Sequence, residues 1–345
     1  MDYTTYQKKF IEAARIEQKD DASYIERCLR YAKPLLDKGL PVIYNADHFS
    51  CLVGVKLKYL YIMANAPKHF YRCFRIPKSN GHFRMISAPL PLLKDVQSYI
   101  LENILYKIPC QVCAKAYVKK KSLRDNAKFH RNQETLLKID IKDYFPSLSS
   151  RRVYNFFVEL GYSKALSGLF TGLCTLSDSL PQGAPTSPYL SNLLTVQLDQ
   201  QLFDYCQTNG ALRYTRYADD ISISGNFSAQ ETIPKVYKII RENCLSPNTE
   251  KTKVLGRHMQ QLVTGIVVNN KIQVPQNYRK RIRLEMHYIM KYGIESHCSR
   301  IMPKCPVEEY TSQLLGRISY CLQINPKDKE MLSYKERILT IRQII

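Results

Sequence analysis

Residues 212–224 read Leu212-Arg213-Tyr214-Thr215-Arg216-Tyr217-Ala218-Asp219-Asp220-Ile221-Ser222-Ile223-Ser224. Aromatic and β-branched residues alternate with polar ones on both sides of an acidic pair. That pattern predicts two strands joined by a tight turn. Asp forms turns readily, but adjacent carboxylates at a hairpin tip repel each other, and no Gly follows them to relieve a type I′ turn. A divalent cation would remove the repulsion. A third carboxylate, Asp140, ends the buried strand predicted in TLLKIDI, residues 135–141. If these strands are neighbours in one sheet, Asp140, Asp219 and Asp220 meet at one edge. Such an oxygen-only set suits Mg²⁺, with Mn²⁺ as a substitute, rather than Zn²⁺. Two such ions, about 3.5–4 Å apart, would clamp an in-line phosphoryl displacement.

The charge balance fits that chemistry. The chain has 345 residues, with 51 Lys+Arg against 30 Asp+Glu, a formal net charge of +21. An excess of this size destabilises a compact state by self-repulsion unless a polyanion offsets it, which points to nucleic acid. With 45% hydrophobic residues the composition is globular. No apolar run approaches the ~18–20 residues of a spanning helix, and residues 1–21 lack the apolar stretch of a secretory signal. Eleven scattered cysteines do not form a disulfide framework. The expectation is a reduced, cytoplasmic protein without a membrane partner.

Further from the hairpin, residues 1–40 show helical spacing up to Gly39-Leu40-Pro41. Residues 71–88 alternate around Ser79-Asn80-Gly81 as a second hairpin, and Leu93, Val96, Ile100, Ile104 and Leu105 mark an amphipathic helix. Residues 115–131 carry seven cations against Asp125 and little apolar periodicity, and they read as a loop facing nucleic acid. Leu190, Leu193, Leu194, Leu198, Leu202 and Phe203 lie on one face of a helix predicted over 189–206. From Pro275 the chain reads as helical and basic. In Tyr278–Gly293, Ile282, Met286, Ile289 and Met290 form the apolar back of a helix rich in Arg and Lys. Cys110, Cys113, His297, Cys298 and Cys305 do not make a zinc pattern, because there is no second C-x-x-C.

Tyr217-Ala218-Asp219-Asp220 resembles the catalytic box of reverse transcriptases. Asp140-Ile141-Lys142-Asp143-Tyr144-Phe145 resembles the first metal-binding box of that family, and Leu180-Pro181-Gln182-Gly183-Ala184-Pro185-Thr186-Ser187-Pro188 its template-and-nucleotide box. Asn248, Lys251 and Thr252 resemble the box after the catalytic hairpin. Asn126-Ala127-Lys128-Phe129-His130 and Val263-Thr264-Gly265 resemble the NAxxH and VTG elements of the retron branch. The expectation is a protein without an RNase H-like acidic set or an appended endonuclease domain, unlike retroviral and most group II intron enzymes.

The resemblance implies an α+β right-hand polymerase. Residues 1–45 would form an N-terminal helical region. Residues 46–134 and 151–210 would be mainly fingers, 135–150 and 211–270 the palm, and 271–345 a basic helical thumb. Asp140, Asp219 and the carbonyl of Ile141 would hold the metals, and Asp220 would help position the primer-side ion. Lys78 and Arg84 would grip the incoming triphosphate, as a point charge and a planar fork suit a polyphosphate. Phe145 would be the steric gate against a 2′-OH. Gln182 would contact the nucleotide, Gly183 would admit the backbone closely, and Lys251 would donate a proton to pyrophosphate.

Nucleic-acid contacts would come from Asn126, His130, Tyr217, Val263, Thr264 and Gly265, with Arg279, Lys280, Arg281 and Arg283 on phosphates. The implied reaction is RNA-templated addition of deoxynucleotides (dNTPs). The template would be a structured non-coding RNA, the product branched RNA-linked single-stranded DNA (msDNA), and an effector protein a partner in anti-phage defence. The alternatives are an intron-type or abortive-infection reverse transcriptase, or an RNA–DNA-binding scaffold that restrains an effector.

Overall fold

Blocks of helices separated by short strands make up the chain, and the computed structural model describes residues 2–19, 21–77, 81 and 83–344. Helices α1 (Tyr3–Ile16), α2 (Ala22–Asp37), α3 (Ala46–Val53) and α4 (Leu57–Asn65) lead into the antiparallel hairpin β1 (Tyr71–Pro77) and β2 (Phe83–Pro89). Next come α5 (Pro91–Asn103), α6 (Leu123–Phe129), β3 (Thr135–Lys142), α7 (Ser150–Leu160), α8 (Lys164–Cys174), α9 (Ser187–Leu194) and α10 (Val196–Thr208). Strands β4 (Arg213–Tyr217) and β5 (Asp220–Gly225) precede α11 (Ala229–Glu242), β6 (Ser246–Gly256), β7 (Leu262–Val263) and β8 (Ile266–Val267). The last elements are α12 (Gln276–Tyr292), α13 (Ile294–Ile301), α14 (Val307–Ile324) and α15 (Lys329–Ile344). No helix among the described residues is long and apolar enough to cross a membrane.

The chain weaves two compact units. The first comprises Met1–Val118, Ile141–Leu202 and Val236–Pro247. The second comprises Lys119–Asp140, Phe203–Lys235 and Asn248–Ile345. In the first unit the core is largely aromatic. Phe170 meets Phe49, Phe157 and Tyr162 at centroid distances of 5.0, 5.3 and 5.3 Å, geometries that add to simple area burial. The run read as one helix over 189–206 is broken at Thr195, whose hydroxyl donates to the carbonyl of Ser191 at 2.8 Å. The apolar spacing continues across the break, so periodicity alone did not show it.

In the second unit β4, β5, β3 and β6 form one sheet in that order. Its antiparallel register pairs Asp140 with Asp220, Ile139 with Ile221 and Leu137 with Ile223. Alternation sorts the two faces: Leu137, Ile139, Ile221 and Ile223 are buried on one, while Asp140, Lys138, Asp220 and Ser222 share the other. A second core of Val263, Ile266, Ile282, Met286, Leu314 and Ile318 joins the C-terminal helices to Leu136 and Ala127.

Three sequence expectations change in this unit. Residues 115–131 are not all loop: Ser122 and Asp125 form a capping box that starts α6. The run Leu262–Val268, whose apolar residues read as one strand, folds as a hairpin, with Thr264 and Gly265 at φ 48° and 81° in its two-residue turn. Two positive φ values in succession mark a type I′ turn, which suits a Gly at the second place. Met290 is 56% exposed and not part of the apolar back of α12.

Candidate active site

The turn between β4 and β5 puts the acidic pair at the edge of the polar sheet face. Tyr217 pairs with Asp220 across the hairpin, leaving Ala218 and Asp219 as the loop. Ala218 takes φ 59°, a left-handed conformation that costs a non-glycine residue of order 1 kcal/mol. Arg216, fully buried, donates from Nη1 to the Ala218 carbonyl at 3.0 Å and steadies that turn. This role is not visible in the sequence, because an Arg in an alternating strand reads as a solvent-facing residue.

Asp140 lies directly across from Asp220, and like charges so placed repel. Lys251 Nζ donates to Asp140 Oδ2 at 3.0 Å, and Asn248 Nδ2 donates to the same oxygen at 3.1 Å. Burial, with the Asp140 charge added, holds the Asp220 carboxyl above the usual carboxylate range, against the pull of Lys138 and Lys251. The hydrogen bond to Asp140 raises the Lys251 ammonium above the ordinary lysine value, and the charges of Asp219 and Asp220 add to this. One ammonium therefore feels all three acids. Among the described residues no three acidic, imidazole or thiol side chains are already close enough to hold an ion. Yet the oxygen donors fit a hard cation: two opposed carboxylates and a third on the adjoining turn, with the Lys251 ammonium supplying the positive charge at Asp140. Ile141, next along β3, has a buried side chain.

This geometry has a pH signature. Asp220 binds its proton more tightly in the folded chain, so its ionised form opposes folding. That cost is absent below the ordinary carboxylate pKa of about 4 and grows as pH rises through the raised value. The metal-free protein with Asp220→Asn should gain Tm over the parent as pH rises above about 4, the gain levelling off once pH has passed the raised value. Superimposable melting profiles of the two proteins across that range would contradict the assignment.

In the first unit Arg84 and Gln182 line one cavity of about 360 Å³, together with Phe83, Ser87, Asp143 and Pro146. The Ser87 amide donates to the Gln182 carbonyl at 2.7 Å. Gly183, at φ 125°, would place a Cβ only 2.7 Å from the Ser87 carbonyl oxygen. Gly183→Ala should therefore cost about 1–3 kcal/mol of stability. An unchanged melt would refute the close approach. Phe145 is half-buried beside this cavity's Pro146 in sequence and packs on Tyr144 and Tyr117 at 5.5 and 6.3 Å. Lys78 and Asn80 lie outside the described residues, whereas Arg84 is exposed on β2.

The NAxxH element turns inward. Asn126 and His130 are 1% and 0% exposed. His130 Nδ1 meets Ser224 Oγ and Nε2 meets Thr215 Oγ1, both at 2.7 Å, and Thr215 Oγ1 donates to Asn126 Oδ1 at 2.6 Å. Since that hydroxyl has one hydrogen, Nε2 donates to Thr215, and in the neutral ring Nδ1 then accepts from Ser224. The expected RNA contacts of Asn126 and His130 are thus replaced by a clamp across β4 and β5. Val263 is likewise fully buried in the second core and is no RNA contact, whereas Gly265 is exposed in its turn and Thr264 half-buried.

On α12 the four expected phosphate contacts divide. Arg283 grips Glu330 through Nε and Nη2 at 2.6 and 2.8 Å, and Arg279 reaches Asp328 and Glu330 at 3.0 and 2.9 Å. Lys280 and Arg281 are exposed. Arg317 makes a bidentate pair with Glu285 that ties α14 to α12, a role the sequence did not suggest.

The reverse transcriptase (RNA-dependent DNA polymerase) family matches residues 76–277. The chain is 29% identical to the Retron Ec86 reverse transcriptase of Escherichia coli over 310 residues, 88% of this chain and 92% of that one. It is 29% identical to the Retron Mx65 reverse transcriptase of Myxococcus xanthus over 365 residues, 97% and 82% of the two chains. It is 31% identical to the Retron Ec73 reverse transcriptase of Escherichia coli over 271 residues, 73% and 82%.

Proposed function

Because the chain belongs to the reverse transcriptase family and, within it, to the retron reverse transcriptases, we propose that it copies part of a structured non-coding RNA into msDNA. It is an RNA-directed DNA polymerase of the α+β right-hand class. In this reading synthesis starts from the 2′-OH of a guanosine in that RNA, and a 2′,5′ branch joins product to template. The partners are dNTPs, the cognate RNA, the msDNA and an effector protein of an anti-phage system, all in the cytoplasm. The subdomains are a palm at 135–150 and 211–270, fingers on either side of its first segment, and a thumb from 271.

The observation that carries the reading is the opposed Asp140–Asp220 pair under the Lys251 ammonium. Asp140, Asp219, Asp220 and the Ile141 carbonyl would hold Mg²⁺. When bound, Mg²⁺ lowers the pKa of the attacking hydroxyl and neutralises charge on the departing pyrophosphate. Lys251, held protonated by its acidic neighbours, leaves Asp140 and supplies a proton to pyrophosphate. Arg84 and Gln182 orient the nucleotide, and Phe145 excludes a 2′-OH. Tyr217, Thr264 and Gly265 contact the primer–template, while Lys280 and Arg281 hold phosphates without reading sequence.

The test is to purify the protein from its native host and treat the accompanying nucleic acid with RNase or a 2′,5′-debranching enzyme. A discrete DNA whose mobility shifts on debranching supports the proposal. RNA without DNA, or a heterogeneous mixture, would overturn it.

A further inference from the structure

Between α12 and α13 lies a cavity of about 400 Å³ that the polymerase chemistry does not use. One side is a ladder of three rings. Tyr292 stacks on Tyr288 at 6.2 Å and 19°, and Tyr288 on His297 at 5.8 Å and 16°. Tyr288 and Tyr292 remain 37% and 53% exposed, so ring surface is open to a ligand. His297 is only 5% exposed, and its Nε2 is buried with no hydrogen-bond partner among the described residues. An unmade bond at a buried polar atom costs about 1–3 kcal/mol, which a ligand with a polar edge would recover.

The charges around the cavity select the ligand. Arg300 lines it and brings a positive charge beside the imidazole. Lys291 Nζ stands 5.0 Å over the Tyr292 ring. The one acid in the lining, Glu285, is neutralised by Arg317 and accepts from the Tyr310 hydroxyl at 3.0 Å. Flat aromatic surface, one hydrogen-bonding edge and cations at the rim with no ion pair among the described residues match a nucleobase with its phosphates. An apolar protein side chain would leave both Nε2 and the cations unused.

We propose that this cavity receives one unpaired nucleobase of the bound RNA, stacked against the tyrosine ladder with its edge on His297 Nε2 and a flanking phosphate on Arg300. The proposal rests on the nucleic-acid-binding reading above. It adds a site that distinguishes RNA with an extruded base from plain duplex.

The full-length protein, freed of nucleic acid, is titrated with two RNA duplexes of equal length. One is fully paired, and the other carries a single 2-aminopurine bulge. The expected result is about fivefold to a hundredfold tighter binding of the bulged RNA, with 2-aminopurine fluorescence quenched by stacking. Tyr288→Ala should abolish both the preference and the quench while keeping duplex affinity within about twofold. Tyr288→Phe should restore both, and Tyr292→Ala should weaken both. Equal binding of the two RNAs by the parent protein would overturn the site. So would an unaltered quench in Tyr288→Ala, which would leave the cavity to a protein partner. Failure of the parent protein to bind either RNA would instead overturn the polymerase reading beneath it.

Discussion

Asp140→Asn should lower primer extension by about a thousandfold or more while leaving the fold intact. The substitution is isosteric, but it removes an anionic oxygen from the metal set, and metal stabilisation of transition-state charge is worth several kcal/mol, each ~1.4 kcal/mol being tenfold in rate. Stability should change little, because two effects oppose. The repulsion between Asp140 and Asp220 disappears, and so does the ion pair to Lys251, whose side chain is 61% exposed. RNA affinity should also persist, since Lys280 and Arg281, the cations proposed to hold phosphates, lie on α12. Single-turnover extension, thermal melting and filter binding on one preparation separate these effects. A melt lowered by several degrees together with lost activity would mean that Asp140 is a structural residue.

His130→Ala should have the largest effect on stability, about 3 kcal/mol, or a fall in Tm of roughly 4 °C for a chain of this size. It orphans the Ser224 and Thr215 hydroxyls and opens a cavity behind the hairpin that carries Asp219. Activity measured well below the melting temperature should fall through kcat, because the displaced group is the hairpin and not a substrate contact. A variant that melted normally but bound RNA poorly would restore the direct-contact role that burial argues against.

Local pattern made the acidic hairpin legible. Two short alternating runs around an acidic pair leave few arrangements, and β3 with its terminal acid completes the sheet. The clamp behind it was not legible, since His130 meets Thr215 and Ser224 across 85 and 94 residues of sequence. Helix α6 was hidden by its cations, which occupy the outer face while Asn126 and Ala127 face inward. The turn at Thr264-Gly265 was lost in an apolar run that reads equally well as one strand. Charge reading erred in a similar way on α12, where the acids that neutralise Arg279 and Arg283 stand about fifty residues later in the chain.

Those two arginines bear on how salt should govern binding. A cation that neutralises a phosphate releases condensed counterions, and each such contact adds about 0.9 to the steepness with which log affinity falls against log salt concentration on a duplex. Cations already neutralised by Asp328 and Glu330 release none. The slope should therefore be about 1.8 units shallower than a count of basic residues on α12 implies. The complex would resist ionic strength better than its net charge suggests, because part of that charge joins α12 to α15 and takes no part in the exchange with solvent ions.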